Sequence, residues 1–136
     1  MAGMQRFVTY LYSYEGSEKL HNTGFAKVEI RGGQCRMEIH LKGALPVGGA
    51  SSIYLFSRDN DEIHAVEIGK MKFAGGSGDY RGVFSSDAIG GSPYRISDMK
   101  GVFIPIDDAH MFASQWDETE INRDRIRIWE PKEEVQ

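Results

Sequence analysis

The chain has 136 residues, of which 40% are hydrophobic and 26% charged, and these values are typical of one globular domain with a single core. Its formal net charge of −4 argues against a nucleic-acid partner, because phosphate binding needs a clustered basic surface. No apolar run approaches the roughly 18 residues of a membrane-spanning helix, so we expect no membrane partner.

The first predicted strand spans residues 6–14, where tyrosines occupy alternate positions. Tyr10, Tyr12 and Tyr14 share one face of this strand with Val8. Three phenols in a row make an aromatic strip with hydroxyls at its edge, which can anchor a protein partner or stack on a sugar. A strip that packs against the core with its hydroxyls at the rim is the interpretation that packing favours, because aromatic residues prefer strands for packing.

Residues 24–42 give the clearest pattern, two alternating strands on either side of Gly32-Gly33. A Gly-Gly pair supplies the positive φ angles of a two-residue hairpin turn, so the numbers of facing residues should sum to 65. This register places Val28 opposite Met37 on an apolar face and Glu29 opposite Arg36 on the other. We expect the apolar face to be buried and the charged face to be solvated.

Three further hairpins are predicted from short apolar runs that flank turn residues. Their strands are residues 52–58 with 63–68, residues 70–73 with 79–84, and residues 101–106 with 111–116. Gly69 is expected to mark a bulge. We expect a longer loop over residues 85–93, and a short strand or turn over residues 94–99.

About eight antiparallel strands joined by hairpins, without a helical pattern of ten or more residues, predict an all-β fold. Both a β-sandwich and a closed β-barrel satisfy this pattern. We assign residues 1–117 to a single domain. Residues 118–136 are mostly charged and are predicted to be a tail or the start of a linker, in which residues 125–129 could add an edge strand.

Three parts of the sequence carry a resemblance to known proteins: RFVTYLYSYEG at residues 6–16, GFAKVEIR and CRMEIH at residues 24–31 and 35–40, and FASQWD at residues 112–117. They resemble the N-terminal β domain of an uncharacterised family from anaerobic spore-forming Gram-positive bacteria. The resemblance covers residues 6–117. It implies a bacterial cytoplasmic setting and a linker to a second domain, and it implies no catalytic residue.

The polar residues form no recognisable catalytic or metal-binding set. Cys35 and His40 lie an odd number of positions apart on one strand and therefore point to opposite faces, so Cys35 is expected to be buried and unreactive. No two histidines stand at ligand spacing, and the glycine-rich segments lack the lysine and helix start of a phosphate loop. We expect no catalytic residue, no metal and no cofactor.

A non-catalytic protein-interaction or targeting module is the preferred function, with Tyr10, Tyr12 and Tyr14 as its first candidate surface. One alternative is a small-ligand-binding barrel or small enzyme, whose cavity would be lined by residues such as Tyr12, Tyr54, Arg58 and His64. The other is a homodimer that pairs exposed strand edges. Because Cys35 is the only cysteine and the start lacks a signal-peptide pattern, we expect a cytoplasmic location.

Overall fold

The structure, a computed structural model, describes residues 5–42, 49–60, 62–116 and 125–130. These residues form nine strands and two short 3₁₀ turns, Ile89–Gly91 and Ile96–Asp98. The strands are β1 Gln5–Glu15, β2 Glu18–Arg31, β3 Gln34–Lys42, β4 Ala50–Asp59, β5 Glu62–Ala74, β6 Ser77–Ser85, β7 Met99–Pro105, β8 His110–Gln115 and β9 Ile126–Ile128. Within these ranges there is no helix long and apolar enough to cross a membrane.

Eight of the strands close into an antiparallel β-barrel, which confirms the all-β prediction and selects the barrel over the sandwich. Five pairs of strands adjacent in sequence form hairpins: β1–β2, β2–β3, β4–β5, β5–β6 and β7–β8. Three pairings between strands that are not adjacent in sequence complete the ring: β3 with β6, β4 with β7, and β1 with β8. The ninth strand, β9, lies parallel to the start of β5 and pairs Ile126 with Ile63. It falls within the segment that the sequence indicated as a possible edge strand.

The hairpin around Gly32-Gly33 has the predicted register. Val28 pairs with Met37 and Glu29 pairs with Arg36. Gly32 and Gly33 have φ angles of 59° and 79°, in the left-handed region where glycine has no steric penalty. The turn chemistry and the burial of one face therefore specify this register together.

Two parts of the fold differ from the expectation, the continuity of β5 and the β1–β2 hairpin. Residues 63–68 and 70–73 belong to one strand, β5, because the irregularity beside Gly69 leaves only Ile68 without a cross-strand partner and does not end the strand. Of the two options expected for residues 94–99, a short strand or a turn, the turn is confirmed: the Asp98 carboxylate accepts the Arg95 backbone N–H (3.1 Å) and stabilises the 3₁₀ turn Ile96–Asp98. The β1–β2 hairpin was not predicted, and its turn contains Gly16, which has a φ of 61°.

The barrel interior is filled mainly by aliphatic side chains and methionines from strands β1 to β5 and β7. Among those with 0–1% of their surface exposed are Leu11, Val28, Met37, Ile39, Leu41, Ile53, Leu55, Val66, Met71, Val102 and Ile104. An eight-stranded barrel has an interior just wide enough to be filled in this way. The interior of this barrel is therefore a hydrophobic core.

A second apolar cluster, the outer cluster, lies on the outside of strands β1, β4, β5, β7 and β8. Its buried members are Tyr14, Phe56, Ile63, Ala65, Phe103, Met111 and Ala113, which alternate with inward-facing residues along their strands. Ile126 of β9 packs against the cluster. The part of the outer barrel wall that these strands form is thus apolar and buried.

The pairing of β5 with β6 is limited to Lys72–Ala74 and Ser77–Asp79. Beyond these pairs the Tyr80 side chain lies between the two strands, and its hydroxyl donates to the Ile68 carbonyl (3.2 Å). Glycines make room for the ring, since a Cβ at Gly82 would lie 2.6 Å from its Cζ and one at Gly69 would lie 2.7 Å from its Cε1. Tyr80 therefore fills a gap in the barrel wall.

Candidate interaction surface

The outer wall formed by β1, β2, β3 and β6 carries polar and exposed side chains, and we call it the basic face. Alternation along the four strands and the pairings between them define its members. They are Arg6, Val8 and Tyr10 of β1; Phe25, Lys27, Glu29 and Arg31 of β2; Gln34, Arg36, Glu38 and His40 of β3; and Asp79, Arg81, Val83 and Ser85 of β6.

An exposed apolar patch occupies the β1 side of the basic face. Tyr10 is 58% exposed and pairs with Phe25, while Val8 is 49% exposed and lies diagonal to Phe25. The Phe25 ring is partly buried and contacts the His40 ring, with their centroids 5.3 Å apart. The Lys27 ammonium lies 6.0 Å from the centre of the Phe25 ring. Tyr10, Val8 and Phe25 therefore form an apolar surface with the Lys27 ammonium at its margin.

The three tyrosines of β1 share one face, as predicted, and this face points out of the barrel and not into its interior, but their surroundings differ. Tyr14 is 6% exposed within the outer cluster. Tyr12 packs at the edge of that cluster and lies 3.9 Å beneath the Lys19 ammonium. Only Tyr10 lies beyond the cluster and exposes most of its ring. The proposed aromatic strip is therefore reduced to one accessible anchor.

Positive charge exceeds negative charge on the basic face, which has five arginine or lysine side chains and three carboxylates. Arg81 pairs with Glu38 at 3.1 Å and Arg6 pairs with Glu29 at 3.6 Å. In the part of the chain that the structure describes, Arg31 and Arg36 have no carboxylate within 4.0 Å. The ion pairs of Arg81 and Arg6 lie at the surface, where such pairs contribute little to stability. The charges of the basic face are therefore available for recognition.

The first half of β1 is paired on one side only. β8 pairs with Tyr12–Glu15, whereas Gln5–Leu11 pair with β2 and with no other strand among the described residues. Side chains connect this half of β1 to β8 and to the residue that follows it. The Thr9 and Ser114 hydroxyls share a hydrogen bond, and the Phe7 and Trp116 rings pack edge to face with their centroids 5.1 Å apart. Tyr10 and Val8 thus project from a strand with an unpaired edge.

The residues predicted to line a cavity do not converge on one site. Arg58 and His64 meet at an open groove of about 430 Å³ at one end of the barrel, which is also lined by Ser57, Asp59, Tyr94, Ser97, Asp98 and Lys100. Tyr54 instead stacks on Phe103 outside the barrel, with ring centroids 5.0 Å apart. Tyr12 also lies outside, at the edge of the outer cluster.

His64 is a partly buried ionisable group in that groove. Its Nδ1 is 3.2 Å from the Tyr94 hydroxyl, and its buried Nε2 has no hydrogen-bond partner in the described structure. Glu62 lies 3.8 Å from Nε2 and pairs with Arg127, whose hydrogen bond lowers the pKa of the Glu62 carboxyl. The arrangement can offer one ring nitrogen to a small polar ligand.

Cys35 is fully buried in the core, and desolvation raises the pKa of its thiol to about 11. A thiol with this pKa stays protonated at neutral pH and is a poor nucleophile, as the sequence predicted. In the described ranges no three His, Cys, Asp or Glu side chains come close enough to hold a metal ion. His110 contacts Asp107 at 2.9 Å within the β7–β8 turn.

The arginines of the basic face were not identified as a site from the sequence, which indicated an ordinary solvated surface. The predicted hairpin register already placed Arg31 beside Gln34 and Arg36 opposite Glu29. Arg6 joins them only through the pairing of β1 with β2. Tyr94 and its contact with His64 were also missed, because they lie 30 residues apart.

Comparison with known proteins gave no match: no protein-family model, no curated protein and no solved structure is significantly similar to this chain.

Proposed function

We propose that this domain is a protein-interaction module that binds an acidic segment of a partner protein through the basic face. The observation that carries the proposal is the exposed aromatic Tyr10, which stands beside Val8 and Phe25 on a surface with excess positive charge. Tyrosines of this kind are frequent hot spots, because they bury a large ring and keep a polar tip. The cytoplasmic location expected from the sequence is part of this proposal.

Charge complementarity favours an acidic partner. The basic face carries a net excess of two positive charges in a chain whose net charge is −4. An acidic segment is attracted to this face and repelled by the remainder of the surface, which fixes its orientation and speeds association. The exposed apolar patch then supplies contact area that charge alone does not provide.

Crosslinking from two positions tests the proposal. A photoreactive amino acid in place of Val8 should form adducts with a partner in cells that produce the protein, whereas the same group in place of Leu20 should not. Leu20 is the matched control, because it is 44% exposed and lies outside the basic face. Mass spectrometry of the adduct identifies the partner segment, which we expect to be rich in Asp and Glu.

Affinity measurements with a peptide of that segment complete the test. Tyr10→Ala should weaken binding by about 2 kcal/mol, as expected for an aromatic anchor, while Leu20→Ala should change it by less than about 0.5 kcal/mol. Equal losses for the two variants would contradict the proposal. Adducts between two copies of the chain would instead favour the homodimer expected as an alternative from the sequence.

A second candidate function is binding of a small polar ligand in the groove that contains His64. The buried Nε2 of His64 supports it, because this atom has no hydrogen-bond partner among the described residues, and a buried polar atom loses free energy until it gains one. A thermal-shift screen of polar metabolites tests it. Stabilisation by a ligand should disappear in His64→Phe, and a hit that persists in this variant would contradict the assignment.

A further inference from the structure

We propose that Arg31, Arg36 and Gln34 form a binding site for a phosphate group beside the β2–β3 turn. They line an open pocket of about 350 Å³ together with Arg6, Glu29 and Val83. The site is separate from the Tyr10 anchor, because Arg31 lies six positions after Phe25 on β2, a distance of about 20 Å along an extended strand.

The hairpin register brings the two arginines together. Arg31 pairs with Gln34, and Arg36 follows two residues later on the same face of β3. Arg31 and Arg36 are therefore diagonal neighbours on adjacent strands, at a separation of about 7 Å that long side chains span easily. Both guanidinium groups and the Gln34 amide can reach one group placed between them.

The charges of the pocket match a dianion. Arg6 neutralises Glu29, with 3.6 Å between Nε and Oε1, so the pocket retains the two positive charges of Arg31 and Arg36. A phosphate monoester carries nearly two negative charges at pH 7, whereas a carboxylate carries one. Arginine also donates two parallel hydrogen bonds to phosphate oxygens, and the neutral Gln34 amide adds a further donor.

Titrations monitored by ¹H–¹⁵N NMR of the full chain test the site. Phenyl phosphate and inorganic phosphate serve as probes, acetate at the same ionic strength serves as the control anion, and a phosphoserine peptide forms a further arm. We expect saturable shifts centred on residues 31–36 for the phosphates and none for acetate. Binding of phenyl phosphate should strengthen between about pH 5 and pH 7, because its second ionisation lies near pH 6.

Variants distinguish binding at a specific phosphate site from nonspecific attraction of anions to positive charge. Arg31→Gln or Arg36→Gln should weaken phosphate binding by about tenfold or more, because each removes a charge-assisted hydrogen bond. Arg31→Lys should weaken it less, since it keeps the charge and loses the planar fork. Lys70→Gln also removes one positive charge, from an exposed side chain on β5 outside the pocket, and it should leave phosphate binding unchanged. Tyr10→Ala should also leave phosphate binding unchanged, so this test does not depend on the protein partner.

Each outcome is decisive. Saturable binding of inorganic phosphate with the expected variant losses supports the site and shows that a free phosphate occupies it. Saturable binding of the phosphopeptide alone supports the site and identifies a modified protein as the source. Linear shifts, equal shifts with acetate, or wild-type affinity in both Arg→Gln variants would overturn the proposal.

Discussion

The contact of Tyr80 with two glycines gives a sharp test of how the barrel wall is closed. In Gly82→Ala the new methyl group would lie 2.6 Å from Cζ of Tyr80, so the ring must shift and its hydrogen bond to the Ile68 carbonyl is lost. Overpacking costs about 1–3 kcal/mol and the hydrogen bond about 1 kcal/mol. Alanine also lowers the conformational entropy of the unfolded state relative to glycine, which offsets about 0.4–1 kcal/mol of this cost. We expect a net loss of about 1–4 kcal/mol in the free energy of unfolding.

A double-mutant cycle in urea isolates this contact. In a Tyr80→Ala background the ring is absent, so Gly82→Ala should cost nearly nothing, and Gly69→Ala should behave in the same way. Gly24→Ala is the matched control, because its methyl group would meet the backbone of His40, with the carbonyl carbon 3.0 Å away. Its cost should be the same with or without Tyr80. Additivity of Gly82→Ala and Tyr80→Ala within about 0.5 kcal/mol would refute the reasoning.

Three further predictions concern the core and one turn. Cys35 should react slowly with a thiol reagent in the native state and quickly in urea, because its pKa is raised to about 11 by burial; fast native labelling would contradict this. Val28→Asp should lower the free energy of unfolding by several kcal/mol in thermal melts, whereas exchanging Lys27 and Glu38 should cost little, and similar losses would contradict the register. Backbone N–H donors, first that of Ala109, lower the pKa of Asp107 below its ordinary 3.8, so its stabilising effect is present above about pH 4 and is lost as pH falls through the folded pKa. The free energy of unfolding of Asp107→Asn should therefore lie below that of the wild type above about pH 4, and this difference should shrink as the pH falls further. A difference that does not change with pH would exclude this role.

The local elements of the fold could be predicted because their signals are short-range. The Gly32-Gly33 turn and the alternation beside it fix a register that needs no other part of the chain. Closure of the barrel depends on pairings such as β3 with β6, whose strands lie far apart in sequence and carry no mutual signal. The sequence therefore left sandwich and barrel as equal solutions.

The candidate site shows the same division. Alternation correctly placed Tyr10, Tyr12 and Tyr14 on one face, because side-chain direction depends only on the strand itself. Their burial depends on which strands lie beside β1: Tyr12 and Tyr14 pair with Ala113 and Met111 of β8, whereas Tyr10 lies beyond that pairing. Exposure of an anchor is thus a property of the closed barrel and could not be predicted from one strand.

The packing of the barrel interior restricts where a ligand or partner can bind. A ligand-binding barrel needs a lumen, yet here Met37, Ile39 and Leu55 are among the fully buried side chains that occupy it. Opening a cavity of ligand size would remove several such side chains, and each large-to-small change costs about 2–5 kcal/mol. The outer cluster uses a further part of the wall for packing. Recognition is therefore expected at the basic face or at the groove at the barrel end, where binding requires no loss of core contacts.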